Sequence, residues 1–147
     1  MNDFTKDSFL GGGIKIWQPK KGYRAGIDPI LLAASVNVSE GQKVLDLGCG
    51  VGTASFAIGY RVGNVELYGI EIQKVFADLA SLNSEENGIE LKLDCSNISN
   101  LSPNITSKCF DHVIANPPYF DRKTSVRSIN LAKEKSFGEM CPISEWL

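Results

Sequence analysis

Apolar residues along the chain fall into short runs separated by turn-forming residues, and the period alternates between runs. Lys43 to Leu47, Val65 to Ile70, Ile89 to Leu93 and Phe110 to Ala115 are brief apolar stretches of strand length. Helical patterns lie between them. One runs from Thr53, expected to cap it, through about Tyr60. Another runs from Lys74 to Glu86, with Val75, Phe76, Leu79 and Leu82 on its apolar face and Asn87-Gly88 closing it. An earlier helix opens at Asp28-Pro29, where Asp28 is expected to cap free N–H groups and proline suits the first helical position. Its apolar residues are Ile30, Leu31, Ala33, Ala34 and Val38. Strands alternating with helices predict an α/β domain with a doubly wound, mainly parallel sheet.

The flanking stretches are less regular. Asp3 to Leu10 is an amphiphilic lead-in, and Gly11-Gly12-Gly13 a permissive bend. Ile14 to Gln18 alternates as a short strand or hairpin arm that Pro19 ends. Gly22 to Gly26 is a loop carrying Tyr23 and Arg24. The polar stretch Ser96 to Lys108 reads as a long loop or an irregular helix. After Tyr119 the chain is locally basic, with Arg122, Lys123, Arg127, Lys133 and Lys135 outnumbering Asp121, Glu134 and Glu139. Pro142 to Leu147 resembles the beginning of a helix. The expected division is one domain: extension and cap (1–26), core (27–119), and basic tail (120–147).

Composition narrows the class only modestly. The 147 residues are 43% apolar and 22% charged with a net charge of -2, ordinary for a globular domain and without a global attraction to nucleic acid. Any RNA contact must come from a local basic patch. Four irregularly spaced cysteines and one histidine fit neither a zinc site nor a disulfide framework, so free thiols in a reducing cytoplasm are expected, with no metal. Met1 to Leu10 carries Asp3 and Asp7 and no long apolar run, so it reads as neither signal peptide nor membrane span.

Chemistry concentrates where strands end. Asp46-Leu47-Gly48-Cys49-Gly50-Val51-Gly52 follows a strand and precedes a helix, so backbone can approach a ligand beside free N–H groups. Glu71 ends the next strand, placed to grip ribose hydroxyls, and Asp94 ends the third, placed to accept from an adenine amino group. A dinucleotide fingerprint wants an uncharged residue before its first glycine, because the pyrophosphate is anionic. Asp46 repels phosphate and suits a cation. S-adenosylmethionine, with an ammonium, a sulfonium and no phosphate, therefore fits better than NAD. The fourth strand runs into Asn116-Pro117-Pro118-Tyr119. Two prolines cannot donate to a ladder, so the strand stops there with an amide, free carbonyls and an aromatic ring at its carboxyl end.

These motifs resemble class I S-adenosylmethionine-dependent methyltransferases, which are Rossmann-like. The Asp-x-Gly-x-Gly-x-Gly loop, the acidic end of strand two and Asp94-Cys95 match their cofactor motifs. Asn116 to Tyr119 matches the amino-methylating branch, and Asn116 counts on both the cofactor and the catalytic side. The resemblance implies that the Asn116 oxygen and the Pro117 carbonyl accept from a target NH₂, while Tyr119, after Pro118, stacks on its planar group. Leu10-Gly11-Gly12, Gln18 to Asp28 and Leu31-Leu32-Ala33-Ala34 resemble the adenine-N6 methyltransferases of valine tRNA. That likeness implies a tRNA partner and a Tyr23–Asp28 loop over the methionine end of the cofactor. Tyr23 would wall the pocket and Arg24 would hold the cofactor carboxylate, or the two would serve only in loop packing and salt bridging. The family sheet has the order three-two-one-four-five-seven-six, which implies C-terminal strands missing from this chain. Strand four, Phe110 to Ala115, would then be an apolar edge open to self-association or a partner. Alternatives are a glutamine-N methyltransferase of a release factor, which uses the same amide grip, a non-catalytic cofactor-binding module, and an NAD-linked oxidoreductase.

Overall fold

The computed structural model describes residues 3–117. An antiparallel hairpin comes first: β1 (Phe4–Phe9) pairs with β2 (Ile14–Pro19) across a 3₁₀ turn at Leu10–Gly12. Then follow α1 (Asp28–Ser35), β3 (Lys43–Leu47), α2 (Thr53–Val62), β4 (Glu66–Ile70) and α3 (Lys74–Asn87). The remaining elements are β5 (Leu91–Asp94), α4 (Pro103–Thr106) and β6 (His112–Ala115).

The four parallel strands lie in the order β5-β4-β3-β6. After β3 the chain moves outward through α2 and α3 to β4 and β5, then returns through α4 to place β6 on β3's other side. Helices on both faces follow, as a doubly wound sheet requires. Alternation along each strand serves the two faces. Val44 and Leu67 enter the larger core with Phe56, Ile58, Leu79 and Ala80, while Leu45, Tyr68 and Ile70 face a smaller cluster around Ile105. Phe56, Ile58 and Leu67 are at most 1% exposed, and burial of such side chains stabilises by about 1.5–3 kcal/mol each. The usual position for ligands in open α/β sheets, the crevice outside the carboxyl ends where strand order reverses, falls here between β3 and β6.

Several local expectations need correction. The lead-in at Asp3 to Leu10 is a strand, held by its ladder to β2 rather than by an apolar face of its own. Asp28 lies inside the first turn of α1 and makes no cap; Ile27 occupies the cap position. The helix stops at Ser35, and its Ala33 and Val36 carbonyls accept from the Arg61 guanidinium at 3.1 and 2.8 Å. Thr53 does not cap α2. Left-handed Gly52 precedes it, and the carboxylate of Asp46, from the preceding strand, engages Ser55 in the first turn instead. On α3 the inward residues are Ala77, Leu79, Ala80 and Asn83, whereas Val75 and Leu82 are exposed. Gly88 closes that helix in a left-handed conformation, as expected. The Ser96 to Lys108 stretch contains one helical turn, α4.

Gly59, in the interior of α2, offers a test of this packing. Alanine gains about 1 kcal/mol of helix propensity. Its methyl, however, would lie 2.6 Å from Ile89 Cγ2 and 3.1 Å from Leu67 Cδ1, and the β-branched Ile89 is stiff. Overpacking costs about 1–3 kcal/mol, so Gly59→Ala is expected to lower the urea midpoint. A raised midpoint would show that Ile89 yields freely.

Candidate functional site

The glycine loop is held by a series of bonds to its backbone. Cys49 N–H donates to the Ile70 carbonyl at 2.9 Å, and Gly52 N–H donates to the Cys49 carbonyl at 2.9 Å. Gly50 N–H donates to Glu71 Oε2 at 2.9 Å, and the Val51 carbonyl accepts from Asn83 Nδ2 at 3.0 Å. Gly50 and Gly52 have φ of 58° and 85°, which L side chains rarely adopt. A Cβ on Gly52 would strike the Phe56 ring, whereas one on Gly50 would meet nothing within 4 Å. The loop thus packs closely on the helix side and stays open at Gly50.

Its carboxylates are linked through the same bonds. Glu71, 5% exposed, accepts from Gly50 through one oxygen and from Gln73 N–H at 2.7 Å through the other, while its own N–H donates to the Asp94 carbonyl at 3.1 Å. Asp46, 3% exposed, accepts from Ser55 Oγ at 2.7 Å through Oδ2. Burial pushes its carboxyl up to about 7; the Ser55 bond opposes that rise and the charge of Glu71 adds to it. Burial also raises Glu71, against the pull of its three backbone N–H groups. The Cys49 thiol is pushed well up by burial and then by Asp46 and Glu71, which makes it an unreactive packing residue. Neither Asp46 nor Glu71 forms an ion pair with a described Lys or Arg. Among the described residues, three buried polar atoms near these strand ends have no partner: Asp94 Oδ2, Ser96 Oγ and Thr53 Oγ1. An unmet buried polar group costs about 1–3 kcal/mol, so an incoming ligand with complementary donors and acceptors recovers that energy.

The structure brings together Asp46, Gly48, Gly50, Gly52, Glu71 and Asp94. Tyr23 is 38% exposed, and partial burial of its phenol, then the negative charges of Asp28 and Asp46, raise its pKa. Cys95 follows on exposed backbone. Asn116 and Pro117 come directly after β6, whose Ala115 pairs with Leu47, so they adjoin the start of the glycine loop. An open groove of about 530 Å³ between α1 and this strand end is lined by Asp28, Leu31, Leu32, Ser35, Ala115 and Asn116. Of the two uses expected of Arg24, the structure shows the salt bridge: its guanidinium donates to Asp7 Oδ2, Thr5 Oγ1 and the Pro19 carbonyl at 2.6, 2.8 and 2.6 Å, which anchors the loop to the hairpin. Pro118, Tyr119 and the basic tail lie outside the described residues. Sequence reasoning missed Ser55 and Asn83. Asn83's signal was a polar residue three and four places from Ala80 and Leu79 on one helical stripe.

Sheet order and strand-end loop together define a Rossmann-like α/β domain of the class I methyltransferase type. The chain belongs to the methyltransferase small domain family, whose model matches residues 26–134. It is 27% identical over 130 residues to a tRNA1(Val) (adenine(37)-N6)-methyltransferase of Flavobacteriaceae bacterium strain 3519-10, covering 88% of this chain and 56% of the relative. A protein of that name from Photorhabdus laumondii is 28% identical over 134 residues, covering 89% of this chain and 54% of the relative. The chain thus spans about half the length of the curated relatives it matches. Among solved structures, the Pyrococcus abyssi tRNA (uracil-54, C5)-methyltransferase in complex with S-adenosyl-L-homocysteine superposes with a TM-score of 0.61 at 24% identity, over 79% of this chain and 28% of that one. That likeness concerns the fold. Among the described residues no helix is long and apolar enough to cross a membrane, and no cluster of His, Cys, Asp or Glu could hold a metal ion.

The buried carboxylate gives a pH test. Asp46 has a folded pKa raised above its unfolded value of 3.8, so its contribution is greatest below that value and is lost as pH rises toward about 7. Asp46→Asn removes this loss. The ligand-free variant is expected to be more stable than wild type at pH 7, by up to about 4 kcal/mol, with the gap closing toward pH 4. Urea titrations at several pH values measure it, and a gap independent of pH would contradict the burial argument.

Proposed function

We propose that the chain carries the donor-binding and target-gripping half of an S-adenosylmethionine-dependent N-methyltransferase whose target is adenine N6 in tRNA. The observation that carries this reading is the buried Asp46 carboxylate, unpaired with any described cation, one strand away from Asn116. The site fits such a donor. Asp46 suits a cationic ligand, and Glu71, with three backbone N–H groups on its carboxylate, keeps one further acceptor site for a ribose hydroxyl. Asp94 Oδ2, without a partner among the described residues, suits an amino group, and Tyr23 closes the wall near Asp28. The donor supplies an electrophilic methyl on a sulfonium. Asn116 Oδ1 and the Pro117 carbonyl accept from the target NH₂ and draw its nitrogen from planar toward tetrahedral. The lone pair is thereby freed to form the N–C bond as the S–C bond breaks. The extra proton leaves the nitrogen afterwards, so no basic side chain must act before transfer. The curated relatives' names support adenine in tRNA as the target class. A tRNA target would reside in a cytoplasm, and the base must be presented unstacked, at a cost of a few kcal/mol.

A second reading concerns assembly. Among the described residues β6 pairs only with β3, and its Val113 is 58% exposed. This edge suits pairing with another strand, from a second copy or from a partner. Sedimentation of the purified chain tests it, and a monomer at all concentrations counts against self-association.

Incubation with labelled donor and either tRNA or release factor tests the activity. Label in tRNA is expected; label in the release factor alone would move the reading to glutamine. Asn116→Ala is expected to lower the rate by at least about 100-fold while donor affinity stays nearly unchanged. Equal losses in rate and affinity would remove Asn116 from the chemistry.

A further inference from the structure

We propose that Asn83, on α3, is a positioning residue for the donor site, acting through the Val51 carbonyl to hold the glycine loop open in its binding shape; this rests on the donor-site reading above. Asn83 is fully buried and uses its carboxamide completely toward backbone. Its Oδ1 accepts from Trp17 N–H at 2.7 Å, and Nδ2 donates to the Trp17 carbonyl and the Val51 carbonyl, each at 3.0 Å. Both amide protons are therefore occupied.

Val51 stands between two glycines of positive φ, which leave the Val51–Gly52 peptide free to turn unless it is bonded. Two bonds remove that freedom. Gly52 N–H is tied to the Cys49 carbonyl, and the Val51 carbonyl to Asn83, so one peptide plane is fixed at both ends. Without the carboxamide, the Val51 oxygen would be buried and unmet, and a turn of that peptide would be its relief. Such a turn would alter the open stretch at Gly50, which Glu71 holds from the other side.

A built-in control lies one helical turn on. Asn87 occupies the same face and makes the matching pair of bonds to Lys15, accepting from its N–H at 2.8 Å and donating to its carbonyl at 2.7 Å. The two side chains thus act as a strand edge for β2, gripping residues two apart. Asn87's third bond goes to the Asn83 carbonyl at 2.7 Å, within the helix, and no bond of its side chain goes to the glycine loop. Both asparagines should matter for stability. Only Asn83 should matter for the donor.

The experiment compares Asn83→Ala, Asn83→Ser and Asn87→Ala in the full chain, by thermal melts and by calorimetric titration with S-adenosylhomocysteine at a temperature where each is folded. All three are expected to lower Tm. The Asn83 variants should raise the ligand Kd about tenfold, the equivalent of one buried hydrogen bond, while Asn87→Ala stays within about twofold of wild type. Asn83→Ser serves where Asn83→Ala does not fold. Equal shifts in Kd for both positions, or wild-type affinity in a folded Asn83 variant, would overturn the inference while leaving the donor site standing. A wild-type chain that binds neither S-adenosylhomocysteine nor S-adenosylmethionine would overturn both.

Discussion

The glycine loop can rest on the sheet because Gly69, in the middle of β4, has no side chain. A Cβ there would lie 2.8 Å from Cys49 Sγ and 3.1 Å from Leu93. With that space free, Cys49 seats its sulfur on the sheet face and bonds its N–H to Ile70. The next residue, Gly50, then comes within reach of Glu71. The site depends on this contact in a definite order: a missing methyl group on β4, a seated cysteine, a tied loop, a carboxylate fixed at the neighbouring strand end. Cys49 is consequently small, buried and inert, and the loop's residue types follow from packing as much as from binding.

The same arrangement is costly without a ligand. Asp46 and Glu71 sit buried near one another with raised proton affinities and no described cation beside them, and Asp94 Oδ2 has no partner among the described residues. A core optimised for stability would contain none of these, since buried charges are expensive unless paired. Their cost is compensated by the larger core, in which Phe56, Ile58 and Leu67 are almost wholly buried. Stability and binding are thus assigned to opposite parts of the same strands, apolar along their length and acidic at their carboxyl ends.

This division explains what could be read from residues alone. The four parallel strands and the three acidic strand ends were legible because short apolar runs ending in a charged or glycine-rich turn have few structural solutions, whereas the strand order came from the family resemblance. Where a polar side chain works inside the packing, the reading failed. Asn83 holds an inward position that periodicity assigns to an apolar residue, which displaced the expected face of α3 toward Val75 and Leu82. Ser55 is invisible for the same reason: its value lies in its contact with Asp46, nine residues away and on another element. β1 escaped notice because Phe4-Thr5-Lys6-Asp7-Ser8-Phe9 carries no apolar alternation, its pairing being decided by β2. Arg24, in a loop, had equally good uses toward a ligand or toward the hairpin, and only the fold could choose.

The hairpin that supplied most of those surprises is structurally central to the site. From one side of β2, Trp17 and Lys15 grip α3 through Asn83 and Asn87, and Asn83 continues into the glycine loop. From its other residues the Tyr23–Asp28 loop is suspended. Gln18, 2% exposed, accepts from Ala25 N–H and donates to Asp7, and Asp7 in turn takes the Arg24 guanidinium. One short strand therefore holds two backbones, the glycine loop and the Tyr23–Asp28 loop. Shifting β2 would displace both together. Apolar contacts of Val51, Cys49 and Ala25 seat the two loops, and the polar bonds of Gln18, Arg24 and Asn83 fix their backbones in direction.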